Sequence, residues 1–429
     1  MSDLEITIPK ETVEVKNNSL TFEIHGNAKY GLDKTIVNGL RRTLLSSIPS
    51  IAFKTARGKS DINIVTNNTA LHNEFMLHRI AMIPLYINPD IYKKNLLFYL
   101  KVKNTTTGIM TITSKDFDIY KIKEDVLKKC EEEDDYSSLD NVSPENYNMN
   151  EKLSDSEKKK IFRPFEIEDM ESYCLIIELS TNNSEDVVQE LELYGSPSLG
   201  YGNMNARWQA VSCATYSFKE DKILFDEVAK EKIKVNEISE NKDKFVRELK
   251  IAEGERYFKR DLNLQPYWYN FRIDSQSYFP PNNSSPDGED GLLVKSGEIL
   301  VKTFEELKDE FKKLLYPDVE SIMEIKVDPN NELIYKIIVN GGNDTIGSII
   351  QAHMTNKMIN DKSVVSFCGY KKLHPLEEII TFTLALNSAN KIVKSSTLQK
   401  VNTIIEGMVD CCNEISLIYQ EIIKTSKKI

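Results

Sequence analysis

The chain has 429 residues, 40% hydrophobic and 28% charged, a globular composition at a length that calls for two or three cores rather than one. It has no apolar run long enough to cross a membrane and no signal-type N-terminal pattern, so a soluble, intracellular protein is expected. A formal net charge of -11 and a pI near 5.3 repel phosphate, which excludes bulk nucleic-acid binding as the main activity and leaves DNA to local basic patches.

Taken in chain order, Leu20-Thr21-Phe22-Glu23-Ile24 alternates apolar and polar side chains at the period of a half-buried strand, with a turn at His25-Gly26-Asn27. Val37, Leu40, Leu44 and Ile48 then share one face of a helix that Asp33 caps and Pro49 stops. Short strands and turns are expected over residues 59–221, interrupted over 115–160 by a polar insertion around Glu131-Glu132-Glu133-Asp134-Asp135, a like-charge run typical of solvated or disordered chain. Residues 173–179 read as a buried strand and 194–205 as a loop rich in Gly, Ser and Asn. A charged helical segment at 225–255 precedes a strand at 267–273 and a Pro, Asn, Ser and Gly-rich link at 280–291. In the next helix Leu300, Phe304, Leu307, Phe311 and Leu314 step by four and three, the spacing of a coiled-coil-like seam, and Pro317 ends it.

The same order then recurs. A strand at 333–339, a turn at Asn340-Gly341-Gly342-Asn343, a helix capped by Asp344 with Ile346, Ile350, Met354 and Met358 on one face, and a strand at 380–384 lead to a closing helix. That helix carries Leu398, Val401, Ile405, Met408, Cys412, Ile415, Tyr419 and Ile422 in steps of three and four. The chain reads as two diverged copies of one fold, the first with a large insertion. A seam helix is unstable with its stripe in water, since each buried Leu or Ile contributes roughly 1.5–3 kcal/mol. The two copies are therefore expected to pair through the helices at 297–316 and 396–424, at an effective concentration of about millimolar or more.

The run Asn38-Gly39-Leu40-Arg41-Arg42-Thr43-Leu44-Leu45-Ser46-Ser47-Ile48-Pro49, with Leu71-His72-Asn73-Glu74-Phe75-Met76-Leu77-His78-Arg79-Ile80-Ala81-Met82-Ile83-Pro84-Leu85, resembles the α-type motif of the third-largest subunit of eukaryotic and archaeal RNA polymerases. Leu199-Gly200-Tyr201-Gly202-Asn203-Met204-Asn205-Ala206-Arg207-Trp208 resembles a Gly-rich turn before a basic residue and Trp in that subunit's inserted domain. Asn343-Asp344-Thr345-Ile346-Gly347-Ser348-Ile349-Ile350 and Phe367-Cys368-Gly369-Tyr370-Lys371-Lys372-Leu373-His374-Pro375-Leu376-Glu377 resemble the subunit's small α-like partner. Single-chain fusions of the two resemble those of large cytoplasmic DNA viruses, which would place the protein in the host cytoplasm, at the virus factory, and in the virion.

The resemblance implies an α+β fold with two α-subunit-like dimerisation domains, antiparallel sheets plus seam helices, paired in one chain as a pseudo-heterodimer rather than a homo-oligomer. The first domain takes residues 1–58 and 260–316, a mainly β inserted domain 59–225, a charged connecting segment 226–259, and the second domain 317–429. It also implies a non-catalytic assembly platform that docks the largest and second-largest RNA polymerase subunits beside small zinc-bearing subunits. Such a chain reaches DNA only through the complex and has no catalytic residue, cofactor or membrane partner; the active-site magnesium belongs to the largest subunit. On its residues the resemblance implies a large-subunit interface at Asn38, Arg41, Arg42, Asn73, Glu74, Phe75, His78 and Arg79. The inter-copy interface would take Val37, Leu40, Leu44, Ile346 and Ile350 together with the seam residues Leu300, Phe304, Leu307, Phe311, Leu398, Val401, Ile405, Met408 and Ile415.

Cellular third-largest subunits often hold zinc on a cysteine cluster in the inserted domain, but residues 89–104 here contain no cysteine, so no metal is expected. Cys130, Cys174, Cys213, Cys368, Cys411 and Cys412 lack a C-x-x-C pair or a zinc spacing with His and are expected as free thiols. The six-residue spacing of His72 and His78 does not suit one helical face. Residues 195–202 lack the Lys-Ser or Lys-Thr of a P-loop, and no nucleophile accompanies His374. Outside the family context Arg41 and Arg42 would be ordinary solvated charge. The alternative to the platform is a stand-alone protein-interaction scaffold built on the same dimer fold and binding through its acidic insertion.

Overall fold

A computed structural model describes residues 5–16, 18–27, 32–56, 59–133, 142–167, 170–180, 188–236, 241–275, 277–282, 290–316, 319–359, 363–388, 390 and 394–428. The helices are α1 (Lys34–Ser46), α2 (Asn73–Ala81), α3 (Glu124–Glu133), α4 (Asp155–Ile161), α5 (Lys222–Val235), α6 (Lys242–Glu253), α7 (Leu292–Lys313), α8 (Asp344–His353) and α9 (Thr397–Ser426). The fold is mixed α+β with antiparallel sheets and forms two compact units: Met1–Leu44, Cys213–Ser275 and Pro280–Ile429 in the first, Leu45–Ser212 and Gln276–Phe279 in the second. Among the described residues no helix is long and apolar enough to cross a membrane.

The first unit holds two four-stranded sheets. One is ordered Glu14–Lys16, Ser19–His25, Trp268–Ser275, Val211–Phe218, and the other Met323–Asp328, Asn331–Asn340, Ile379–Leu386, Val365–Lys372. Numbered along the chain, both run 1-2-4-3. In each, a short helix (α1 or α8) follows the second strand and a long one (α7 or α9) follows the fourth. Period-two alternation sends Leu20, Phe22 and Ile24 inward beside Tyr269, Phe271 and Ile273, and Tyr335, Ile337 and Val339 inward beside Ile380, Phe382 and Leu384. The charged segment after Val211–Phe218 resolves into α5, capped by the Asp221 side chain, and α6, joined to it by a 2.6 Å Lys232–Glu253 ion pair.

The second unit is built on a five-stranded sheet ordered Tyr147–Lys152, Asp118–Ile122, Leu96–Lys103, Glu190–Gly195, Ile62–Asn67. Met76 and Ile80 of α2 pack into its larger core with Phe98, Leu100, Phe117 and Phe162. A smaller core gathers Leu97, Tyr120, Ile122, Cys130 and Tyr147.

That smaller core corrects the reading of residues 115–160 as a solvated or disordered insertion. The described part forms two strands, α3 and α4: Tyr120 and Ile122 of one strand, Cys130 of α3 and Tyr147 of the other strand reach the smaller core, and Ile161 of α4 reaches the larger one, while Glu131 and Glu132 face solvent; Asp134 and Asp135 lie outside the described residues. The expected loop at 194–205 contains the strand Ser198–Tyr201, paired with Pro49–Ala52. Gly200 obscures it in the sequence and is needed there, since a methyl at that position would lie 2.4 Å from Trp208 Cδ2. The cap of α8 is Asn343, one residue before Asp344, its Oδ1 accepting from Ile346 N at 3.0 Å. Pro317 lies outside the described residues.

Candidate pairing and docking surfaces

In the first unit α7 and α9 run antiparallel, Gly297 lying opposite Ile423 and Phe304 opposite Tyr419. Leu300, Phe304, Leu307 and Phe311 are buried on α7, and Ile405, Met408, Cys412, Ile415, Tyr419 and Ile422 on α9. Leu398 departs from the expected seam. It is 68% exposed, because it stands in the first turn of α9, which projects past the end of α7 at Lys313; Val401, one turn on, is half-buried. A second buried stripe, Ile404, Cys411 and Ile418, runs beside the first, with Cys411 Sγ 4.0 Å from Ile350 O of α8. Being covered on two sides, α9 buries both adjacent cysteines, and burial pushes the Cys412 thiol to about 12.

Tyr419 ties three helices together. It is fully buried, its ring stacks on Phe304 of α7 at 6.1 Å, and its hydroxyl donates to Ile36 O of α1 at 3.2 Å. Burial holds that hydroxyl well above its ordinary pKa, so it stays a donor. Beside it a methyl on Gly39 would lie 2.6 Å from Tyr419 Oη and 2.8 Å from Ile349 Cδ1. Gly39 is the sixth residue of α1, and Ile349 is the sixth of α8. Val37, Leu40, Leu44, Ile346 and Ile350 are buried as well. Polar bonds complete this region: His353 Nε2 to Glu414 Oε2 at 2.8 Å, and Asn356 Nδ2 donating to Asp33 Oδ2 at 2.8 Å. The His353 bond holds the Glu414 carboxyl below its ordinary range.

The residues expected to meet a large subunit divide between the units. In the first, Asn38 and Arg41 are half-buried and joined by Arg41 Nε donating to Asn38 Oδ1 at 3.0 Å, while Arg42 is exposed. Burial raises the hydroxyls of Tyr216 and Tyr370 against the opposing pull of Arg41 and Arg42 respectively. In the second unit α2 buries Met76, Ile80 and Ala81 and exposes Asn73, Glu74, Phe75, His78 and Arg79. Phe75 is 65% exposed and Met82, just past the helix, 62%, two apolar side chains left uncovered by the described residues. His72 caps α2, Nδ1 accepting from Glu74 N at 3.3 Å, which is a structural use.

Arg207 and Trp208, the basic–Trp pair after the Gly-rich turn, are also structural: Arg207 Nη1 donates to Phe53 O at 3.1 Å and Trp208 Nε1 to Ser198 O at 3.0 Å. Among the described residues no three His, Cys, Asp or Glu side chains gather as metal ligands. Sequence reasoning singled out neither Gly39, Ile349 and Gly297 nor Met82. The signal available was a glycine inside each of two strongly periodic helices, a position that calls for a packing reason.

The RNA polymerase Rpb3/Rpb11 dimerisation domain matches residues 30–284, more than half of the chain. Subunit 3 of the DNA-directed RNA polymerases II, IV and V of Arabidopsis thaliana is 22% identical over 270 residues, 57% of this chain and 70% of that protein. The DNA-directed RNA polymerase subunit Rpo3 of Methanosphaera stadtmanae is 24% identical over 188 residues, 44% of this chain and 54% of its own length. Subunit rpac1 of RNA polymerases I and III of Dictyostelium discoideum is 32% identical over 97 residues, 20% of this chain and 25% of the relative. The chain thus spans 70% of the first relative but about half and a quarter of the other two. By the extent of the domain match, the chain belongs to the RNA polymerase Rpb3/Rpb11 dimerisation domain family.

Proposed function

We propose that this chain is the non-catalytic assembly platform of a multisubunit DNA-dependent RNA polymerase, holding two α-like partners fused in one polypeptide. The carrying observation is that the sixth residue of α1 meets the sixth residue of α8, between helices that follow the second strands of two sheets with the same 1-2-4-3 order. Two copies related by a pseudo-two-fold axis bring a residue against its own equivalent in this way. The family match, residues 30–284, takes in the inserted domain and part of the first copy, whereas the second copy is supported by topology and by its resemblance to the small α-like partner. The domains are 1–58 with 260–316, to which the strand Val211–Phe218 is added because it pairs in the same sheet, then 59–210 inserted, 219–259 connecting, and 317–429.

The second-largest polymerase subunit docks on Asn38, Arg41 and Arg42 and on the solvent face of α2, where the exposed Phe75 and Met82 supply apolar anchors. The largest subunit and small zinc-bearing subunits complete the assembly. A fused pair also suits a polymerase encoded by a large cytoplasmic DNA virus, working in the host cytoplasm and carried in the virion. The test is co-expression with the two large subunits from the same source: the tagged chain is expected to retain the second-largest through washing at physiological salt. Failure to retain it would sink the platform reading.

A further inference from the structure

We propose that Gly39 and Ile349 form a small-to-large couple that fixes which half pairs with which, admitting first-with-second pairing and excluding each half from its own kind. This rests on the reading of the chain as two fused α-like halves. Across a pseudo-two-fold axis the residue at this helix position always meets its equivalent, so its size decides which combinations fit. In the observed pair Gly39 has no side chain, and Ile349 Cδ1 and Tyr419 Oη come within 2.8 and 2.6 Å of where a Cβ would stand. Two second halves would bring Ile349 against Ile349, two butyl groups in space that now holds one, at a position where Gly39 and Ile349 are both buried. Two first halves would set Gly39 against Gly39 with neither isoleucine nor tyrosine to fill the gap.

Other glycines give the couple its direction. Gly297, on α7 of the first half, is also a hole filled from the second half, a methyl there lying 2.6 Å from Ile423 Cγ1. Glycines of the second half behave otherwise: Gly347 is covered by Tyr370, Gly342 by Ile380 and Gly369 by Phe367, all from their own half. The first half therefore supplies the holes and the second the knobs, an arrangement that excludes wrong partners as well as fitting the right one.

The experiment uses the full-length chain with Gly39→Val, Ile349→Ala and the double variant, read by thermal unfolding and by sedimentation velocity after refolding at high concentration. Gly39→Val is expected to lower the unfolding midpoint by roughly 5 °C. Adding Ile349→Ala should recover at least half of that loss, although Ile349→Ala alone is also destabilising. With the isoleucine clash removed, Ile349→Ala should refold to chain dimers about tenfold more than the parent chain does. Simple addition of the two losses in the double variant, or an Ile349→Ala chain that refolds with no more dimer than the parent, overturns the couple. Neither readout involves another polymerase subunit, so rescue in a chain that fails to capture the large subunits would keep this inference and remove the platform reading.

Discussion

Replacing Tyr419 probes the junction at which α1, α7 and α9 meet. Tyr419→Phe removes one buried hydrogen bond, to Ile36 O at 3.2 Å, and keeps the ring on Phe304, so it should cost about 1 kcal/mol. Tyr419→Ala also removes the ring from a site with no solvent exposure, which raises the loss to about 3–5 kcal/mol, roughly 10 °C in the midpoint for a unit of this size. Phe304→Leu isolates the stacking: in the double variant with Tyr419→Leu the losses should fall short of additive by about 0.5–1.5 kcal/mol. Scanning calorimetry and urea unfolding followed by far-UV circular dichroism measure all three. A Tyr419→Ala midpoint within about 2 °C of the parent, or strict additivity with Phe304→Leu, would refute the claim that this ring holds α1, α7 and α9 together.

Glu414 gives a pH signature. Its folded pKa lies below the ordinary 4.5 because His353 bonds its carboxylate, so its stabilising contribution is present above the unfolded value and is lost as pH falls through the folded one. The stability difference between the parent chain and Glu414→Gln, measured by urea unfolding, should therefore shrink below about pH 4.5; a constant difference would contradict the bond. Arg42→Glu and Phe75→Asp alter exposed side chains and should change stability by no more than about 0.5 kcal/mol while weakening capture of the second-largest subunit at least about tenfold in a titrated pull-down. Tyr147→Ala, in the segment whose charge suggested disorder, should cost about 3 kcal/mol because its ring is buried beside Tyr120 and Cys130; no change in the unfolding of the second unit would return that segment to a solvated role.

The seam was legible in the sequence because an apolar step of three and four on a 22-residue or 30-residue helix has no other explanation. Its edges were not: Leu398 continues the repeat but lies beyond the end of α7, and the second stripe through Ile404, Cys411 and Ile418 belongs to a helix covered on two sides. The edge strands Glu14–Lys16 and Met323–Asp328 left little signal, since the first is wholly exposed and the second buries only Met323. Charge density hid the core of the inserted segment, where Tyr120 and Ile122 of one strand, Cys130 of α3 and Tyr147 of a second strand converge. At the candidate site, buried Val37, Leu40 and Leu44 follow from helical period alone, whereas the Gly39–Ile349 contact emerges only once α1 and α8 are numbered from their starts in sheets of the same strand order.

The central claim is that one chain fills two α-like positions of a polymerase. Native mass spectrometry of the polymerase purified from its source through a tag on this chain tests it most directly. The account predicts one copy of the chain for each largest subunit and no separate small α-like partner. Two copies per largest subunit, or a separate partner bound beside the chain, would contradict it.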